Sequence, residues 1–230
     1  MKILSLETTG NTASVAVVEP DNIIAEFSMN CIKNHSLTLM PLISYALEMS
    51  KLKLSDISYI ALSNGPGSFT GLRLAAATAK SLAHGASLKI VPVPTLETIA
   101  YNVFMENRII APIMDARRGE VYASIYLCEN GELKELTPNL AEDFNMFLDR
   151  VKALDAPVTF LGDGCLLHGD VIKSSGFNIA PPNSLMQRAS SVGLLGIKRA
   201  SNGMTVGYNE LELLYLRKPQ AEREYEERKC

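Results

Sequence analysis

The run Ser63-Asn64-Gly65-Pro66-Gly67-Ser68-Phe69-Thr70-Gly71 holds the densest cluster of residues able to do chemistry. It stands between an apolar strand pattern, Ile57 to Leu62, and an alanine-rich helical stretch, Leu72 to His84, with Gly85 placed as its stop. Glycines at such a junction let the backbone come close to a ligand or turn sharply. The free N–H groups of a helix start favour an anion, which makes Gly65, Gly67 and Ser68 candidate phosphate contacts. The familiar motifs do not fit. Gly65-x-Gly67-x-x-x-Gly71 is one residue longer than the dinucleotide fingerprint, and no G-x-x-x-x-G-K-[ST] is present. Pro66 and Thr70 stand where a serine-hydrolase elbow requires glycine. On spacing alone, a turn in which Ser68 or Thr70 caps the helix is favoured over an anion site.

The other reactive side chains are dispersed. His35, His84 and His168 form no close pair, and H-E-x-x-H is absent. His35 is placed at the start of a helix in a structural or capping role. His84 suits a helix C-terminus, where positive charge is favoured, and His168 is placed in a loop after Gly162-Asp163-Gly164. Cys31, Cys128, Cys165 and Cys230 have no metal-ligand spacing and read as reduced thiols of a cytosolic protein.

The elements that would position these groups fall into two rounds. Ile3–Leu6, Ala13–Val18 and Ile23–Ser28 read as an antiparallel meander, the first two joined by the polar turn Glu7-Thr8-Thr9-Gly10-Asn11-Thr12. A helix over Ser36–Met49, kinked at Pro41, leads to a β-α-β unit: strand 57–62, helix 72–84 and strand 88–93. A short helix, 96–104, follows. The second round opens with a strand at 109–114, the turn Asp115-Ala116-Arg117-Arg118-Gly119, and an alternating strand 120–127 with Val121, Ala123, Ile125 and Leu127 in phase. Asn130-Gly131 signals a hairpin into 132–136. Helices at 141–152 and 186–201 flank a strand at 158–161. The repetition predicts duplicated α/β domains with a cleft between them: 1–105, 106–215 and a charged tail, 216–230, read as a solvated helix end or disorder. The helix at 186–201 is expected to pack back on the first domain.

With 230 residues and 47% hydrophobic content the chain can bury a sizeable core. A net charge of −3 argues against gripping nucleic acid through its own phosphate contacts. The nearest basic clusters, Arg117-Arg118 and Lys198-Arg199, are short. The N-terminus turns polar too soon for a signal peptide, and no run approaches the roughly 20 apolar residues of a membrane span. A cytoplasmic location is expected.

Four motifs in order resemble the TsaB (YeaZ) family: Ile3-Leu4-Ser5-Leu6-Glu7-Thr8-Thr9 with Ser14-Val15-Ala16-Val17, Asn64 to Arg73, Asp115 to Tyr122, and Tyr215-Leu216-Arg217. The resemblance covers nearly the whole chain. It implies the actin-like ATPase (sugar kinase/Hsp70) fold, an α/β architecture of two tandem domains, each with a mixed β-sheet flanked by helices. It also implies a role in forming threonylcarbamoyladenosine in the anticodon loop of tRNA. TsaB-like proteins are regarded as non-catalytic paralogues and partners of the transferase TsaD, acting with the ATPase TsaE.

TsaD-type proteins carry H-x-x-x-H on a helix, a spacing that puts two imidazoles on one face to hold a metal. The corresponding positions here are Thr95 and Ile99, and isoleucine cannot coordinate one. No metal and no catalytic residue is expected. Active relatives use hydroxyl- or glycine-rich hairpins as phosphate loops. Here the first keeps Thr8 and Thr9 but has Glu7 where aspartate is usual. The second lacks the glycines, although Arg117 and Arg118 could attract a phosphate. The resemblance therefore implies that this chain alone binds no cofactor, with ATP used by the complex.

In the family the first domains pair through their first two helices. The apolar stripe Leu39, Met40, Ile43 and Leu47, with Leu72, Ala76, Ala79 and Lys80 on the second helix, is the interface this implies. Without its partner such a patch would close a homodimer, although an amphipathic helix must also bury one face on its own sheet. Contact with tRNA would be indirect, through the complex. The alternative reading is a stand-alone degenerate ATPase or glycoprotease-like hydrolase using the inter-domain cleft.

Overall fold

A strand buried on both faces is mostly apolar, and in Ile3-Leu4-Ser5-Leu6-Glu7 every side chain is buried, the polar Ser5 and Glu7 with hydrogen-bond partners. In the computed structural model, which describes residues 1–30, 35–104 and 107–217, this strand, β1 (Ile3–Glu7), is the centre of a five-stranded sheet. On one side it pairs antiparallel with β2 (Thr12–Glu19), which pairs with β3 (Asn22–Asn30). On the other it pairs parallel with β4 (Tyr59–Ser63), followed by β5 (Lys89–Val93).

Helices α1 (His35–Met49) and α2 (Phe69–Ala86) cover one face, where Leu39, Ile43 and Ala46 meet Ala75, Ala79 and Ala83 over Leu4, Leu6 and Val15. The opposite face, with Ile3, Ala16 and Val91, is covered from far along the chain by α7 (Ala189–Ser201). Polar contacts seat the start of α7. The Ser5 hydroxyl donates to the Ala189 carbonyl (2.7 Å), and the amides of Ala189 and Ser190 donate to Ser14 Oγ and Glu26 Oε1. Burial works against the charge of Glu26, yet hydrogen bonds from Arg188 and Ser190 hold its pKa below the usual value.

The second sheet repeats the plan. Strands β6 (Arg108–Asp115), β7 (Glu120–Glu129) and β8 (Glu132–Asp143) form the meander, and β9 (Val158–Leu161) and β10 (Asn178–Ile179) add in parallel beside β6. Helix α3 (Thr95–Tyr101) contributes Leu96, Ile99 and Ala100 to this sheet's core, so each lobe is covered in part by a helix whose chain neighbours lie in the other. Helices α4 (Phe144–Lys152), α5 (Cys165–Ser174) and the single turn α6 (Pro182–Leu185) complete it.

Several boundaries move for local reasons. Helix α2 starts at Phe69 because Ser68 Oγ accepts from the Gly71 amide, the expected cap. It runs past Gly85 to Ala86, and Ser87 takes the left-handed turn at φ 53°. Helix α1 continues through Pro41. The start of the 141–152 helix belongs to β8, and α4 begins only after Asp143 Oδ1 accepts from the Asn145 amide. The alternation expected of β7 breaks at a bulge between Ala123 and Tyr126, which buries Tyr126 and Cys128 and leaves Leu127 half-buried. Thr137 fills the bulge, taking a hydrogen bond from the Ile125 amide through Oγ1 and from Ser124 Oγ through its carbonyl. The loop assigned to His168 is helix α5, where the imidazole stacks at 3.9 Å on Phe144. Cys31, Cys230 and residues 218–230 of the tail lie outside the described residues.

Candidate functional site

The loops after β1, β4 and β6 face one another across a cleft of about 690 Å³ between the two sheets. Thr9, Gly10, Asn11 and Phe69 form one wall, and Met114, Asp115, Arg117 and Asp163 the other. Of the residues expected as phosphate contacts, Thr9, Gly67, Ser68 and Arg117 line it while Thr8, Gly65 and Arg118 stand outside the lining, and several of their polar groups bond within the protein.

Glu7 is wholly buried and accepts from the Thr9 amide and the Thr9 hydroxyl, both at 2.6 Å, and from the Ser63 hydroxyl. Burial pushes its pKa up against those hydrogen bonds, and Asp163 adds repulsion. The Thr8 hydroxyl donates to the Gly71 carbonyl at 2.8 Å. Both threonines of the first loop thus brace it from within.

The glycine run is closed in the same way. The Ser68 amide donates to the Thr9 carbonyl at 2.7 Å, and a Cβ on Gly67 would lie 2.7 Å from Thr9 Cβ. Gly65 has φ +123°, and a Cβ there would collide with the Leu214 carbonyl. These glycines admit a close backbone, as their composition implies. The backbone is the chain's own.

On the facing wall, Asp115 Oδ1 accepts from the Arg117 amide at 2.7 Å, and its Oδ2 pairs with the Arg117 guanidinium at 3.0 Å. Arg117, Arg118 and Gly119 all have positive φ (68°, 59° and 80°), which turns both arginine side chains into solvent. Beneath them Asp163 accepts from the Asp115 amide (3.1 Å); burial, with Asp115 nearby, raises its pKa. The Gln187 amide leans toward Asp163 and pulls the other way, while its Oε1 and Nε2 have no protein partner at hydrogen-bond distance.

Sequence reasoning missed Asp163 as a cleft residue and the buried Gln187 behind it. Asp163 stood in view within a Gly-Asp-Gly turn, but nothing in the chain pointed to Gln187. His35, placed at a helix start, does begin α1, and its Nε2 lies 2.9 Å from the Gly10 carbonyl. His84 lies in the last turn of α2, packed at 4.6 Å against the Tyr208 ring. Cys128 and Cys165 are buried, and burial pushes the Cys165 thiol up to about 12.

Within the cleft the charge of a nucleotide triphosphate would face Asp115 and Asp163, and the Thr8 and Thr9 hydroxyls and the Ser68 amide are already bonded within the protein. The α3 pair does not suit a metal, because Thr95 and Ile99 are fully buried and offer one hydroxyl and a hydrocarbon.

The residues assigned to a partner interface divide in two. Leu39, Ile43, Leu72, Ala76 and Ala79 lie in the first lobe's core, Leu47 and Lys80 are half-buried, and Met40 reaches the surface. The most regular apolar stripe is claimed by the sheet beneath it. The outward side of α1 is apolar too, with Leu37, Met40, Tyr45 and Met49 exposed by 70%, 47%, 57% and 66%. Among the described residues no helix is long and apolar enough to cross a membrane.

Residues 23–194 match the TsaD family, described as tRNA N6-adenosine threonylcarbamoyltransferase. The tRNA threonylcarbamoyladenosine biosynthesis protein TsaB of Bacillus subtilis is 36% identical over 200 residues, covering 85% of this chain and 87% of that one. The Escherichia coli protein of the same name is 31% identical over 227 residues, covering 94% and 95%. Among solved structures, a Pseudomonas aeruginosa protein described as similar to peptidase YEAZ superposes with a TM-score of 0.80 at 24% identity, covering 94% of this chain and 99% of that one. The architecture is the actin-like ATPase fold, with two mixed sheets flanked by helices.

Proposed function

Because this chain belongs to the TsaB family, we propose that it serves tRNA threonylcarbamoyladenosine biosynthesis as a non-catalytic subunit. It pairs with a TsaD-like transferase and acts with a TsaE-like ATPase. It binds no cofactor alone, and ATP is consumed by the complex. The observation that carries this reading is the inward bonding of the loops beside the cleft. Thr8 and Thr9 bond inward, and Gly65 and Gly67 pack on Leu214 and Thr9, so the loops that would cradle phosphate hold the protein together instead.

The pairing surface is the outward face of α1. Leu37, Met40, Tyr45 and Met49 form an exposed apolar strip on a helix already anchored by its other side. In isolation the same strip closes a homodimer, and tRNA is met through the partner rather than by a chain of net charge −3.

The test is threonylcarbamoyl transfer to tRNA by the cognate TsaD-like protein and TsaE, given threonylcarbamoyl-adenylate and ATP, with and without this chain. Modification that requires the chain is the expected result. Equal modification without it removes the accessory role. ATP turnover by the purified chain alone would instead favour a stand-alone enzyme.

A further inference from the structure

Beyond α7 the chain returns across the first lobe. Val206 exchanges backbone hydrogen bonds with Ile90 on β5, and Leu211 is buried in the cluster under α1 and α2. At Leu214 it reaches the glycine run, where its amide donates to the Asn64 carbonyl at 2.8 Å and its carbonyl fills the space beside Gly65. The Tyr215 ring then packs on Phe69 with centroids 5.0 Å apart, and its hydroxyl accepts from Arg73 Nε at 3.4 Å. The Arg73 guanidinium sits 3.8 Å over the Phe69 ring, closing a three-member stack on α2.

Two residues later the chain grips the other lobe. Arg217 donates to the Ala116 carbonyl at 2.9 Å and pairs with Glu120. Its side chain is only 13% exposed. A planar guanidinium presents its donors in a rigid fork that holds a carbonyl and a carboxylate in fixed directions, which the compact ammonium of a lysine does not. The carbonyl it holds precedes Arg117 and Arg118, whose left-handed backbone conformations persist only where the surroundings enforce them. Phe69 and Ala116 both line the cleft, on opposite sides.

We propose that Leu214–Arg217 is an inter-lobe clasp that fixes the width of the cleft. Hinge opening of a two-lobed fold separates its lips. Here one four-residue segment is tied to the first lip through Leu214 and Tyr215 and to the second through Arg217, so opening must first break Arg217 from Ala116 and Glu120 or strip Leu214 and Tyr215 from the first lobe. The clasp is a property of the chain itself and does not depend on the partner role.

The test is hydrogen exchange on the full chain, comparing the natural protein with Arg217→Ala and Arg217→Lys. Exchange is expected to rise at least several-fold in Arg217→Ala at Gly10–Asn11 and Leu166–Leu167. These residues line the cleft and belong neither to the clasp nor to the turn before Glu120 that Arg217 holds. A smaller rise is expected in Arg217→Lys. Faster exchange confined to residues 114–120 and 215–217 would overturn the proposal, leaving a local anchor. Should Arg217→Ala not fold, Glu120→Gln removes the charge pair while leaving the bond to Ala116, and is read by the same two criteria.

Discussion

The hydroxyl of Thr8, just after β1, donates to the carbonyl of Gly71 in the first turn of α2, 63 residues away in sequence, at 2.8 Å. This bond and the three that Glu7 accepts turn a loop with the composition of a phosphate cradle into an internal brace. Thr8→Val keeps the shape and deletes the donor. It is expected to lower unfolding free energy by about 0.5–1.5 kcal/mol, the usual net worth of one intramolecular hydrogen bond, because the Gly71 carbonyl lies within α2 and keeps its helical partner. Urea titration measures this. Unchanged stability with weakened ATP binding would instead make the hydroxyl a ligand contact.

Gly65 and Gly119 separate two uses of glycine. Both have positive φ, +123° and +80°, but only Gly65 has a backbone carbonyl where a side chain would go, while Gly119 has nothing within 4 Å. Gly119→Ala is expected to cost about 1–2 kcal/mol of left-handed strain. Gly65→Ala should cost clearly more, because Leu214 must also be displaced. Denaturant midpoints at constant slope compare the two, and equal costs would contradict the packing of Leu214 at Gly65.

The two sides of α1 are expected to respond differently to charge. Met49→Glu, on the outward face, should leave stability within about 0.5 kcal/mol, as surface changes usually do. It should weaken self-association and co-purification with the TsaD-like protein. Ile43→Glu, 2% exposed in the natural protein, should prevent folding by burying an unpaired carboxylate. Light scattering after gel filtration and circular dichroism read both outcomes. Normal pairing by Met49→Glu would move the interface off this face.

Stability should fall as pH rises above the acid range. The folded-state pKa values of Glu7 and Asp163 are raised, chiefly by burial, from ordinary values of 4.5 and 3.8. The fold therefore favours their protonated forms. That contribution is fully present below the ordinary values and is lost as pH climbs through the raised ones. Glu26 acts oppositely: its pKa is lowered from 4.5, so its contribution is present above that value and lost on acidification. Asp163→Asn should flatten the decline with rising pH in urea titrations. An unaltered slope would assign the decline to other groups.

Much of this fold is legible because local rules and tertiary packing agree. Strand β9 occupies Val158–Leu161 as its four-residue pattern indicates, Ser68 caps α2, and Asn130-Gly131 turns the β7–β8 hairpin with both residues at positive φ. Where packing inverts a pattern, the reading fails. Helix α5 shows Leu166 and Leu167 to solvent at 64% and 65% exposure and buries Cys165 and Ile172, so it carries no ordinary apolar stripe. The bulge in β7 shifts the strand by half a period, and no residue type announces it.

The chain's own order of residues determined the duplicated meander and the glycine turn at the head of α2. Each depends on residue type and short spacing. Whether Gly65 faces a ligand or Leu214, and which side of α1 meets solvent, was decided by tertiary structure. Both depend on partners about 150 residues away, or on which face a sheet claims first, and a backbone carbonyl that fills a cradle is the same in every residue.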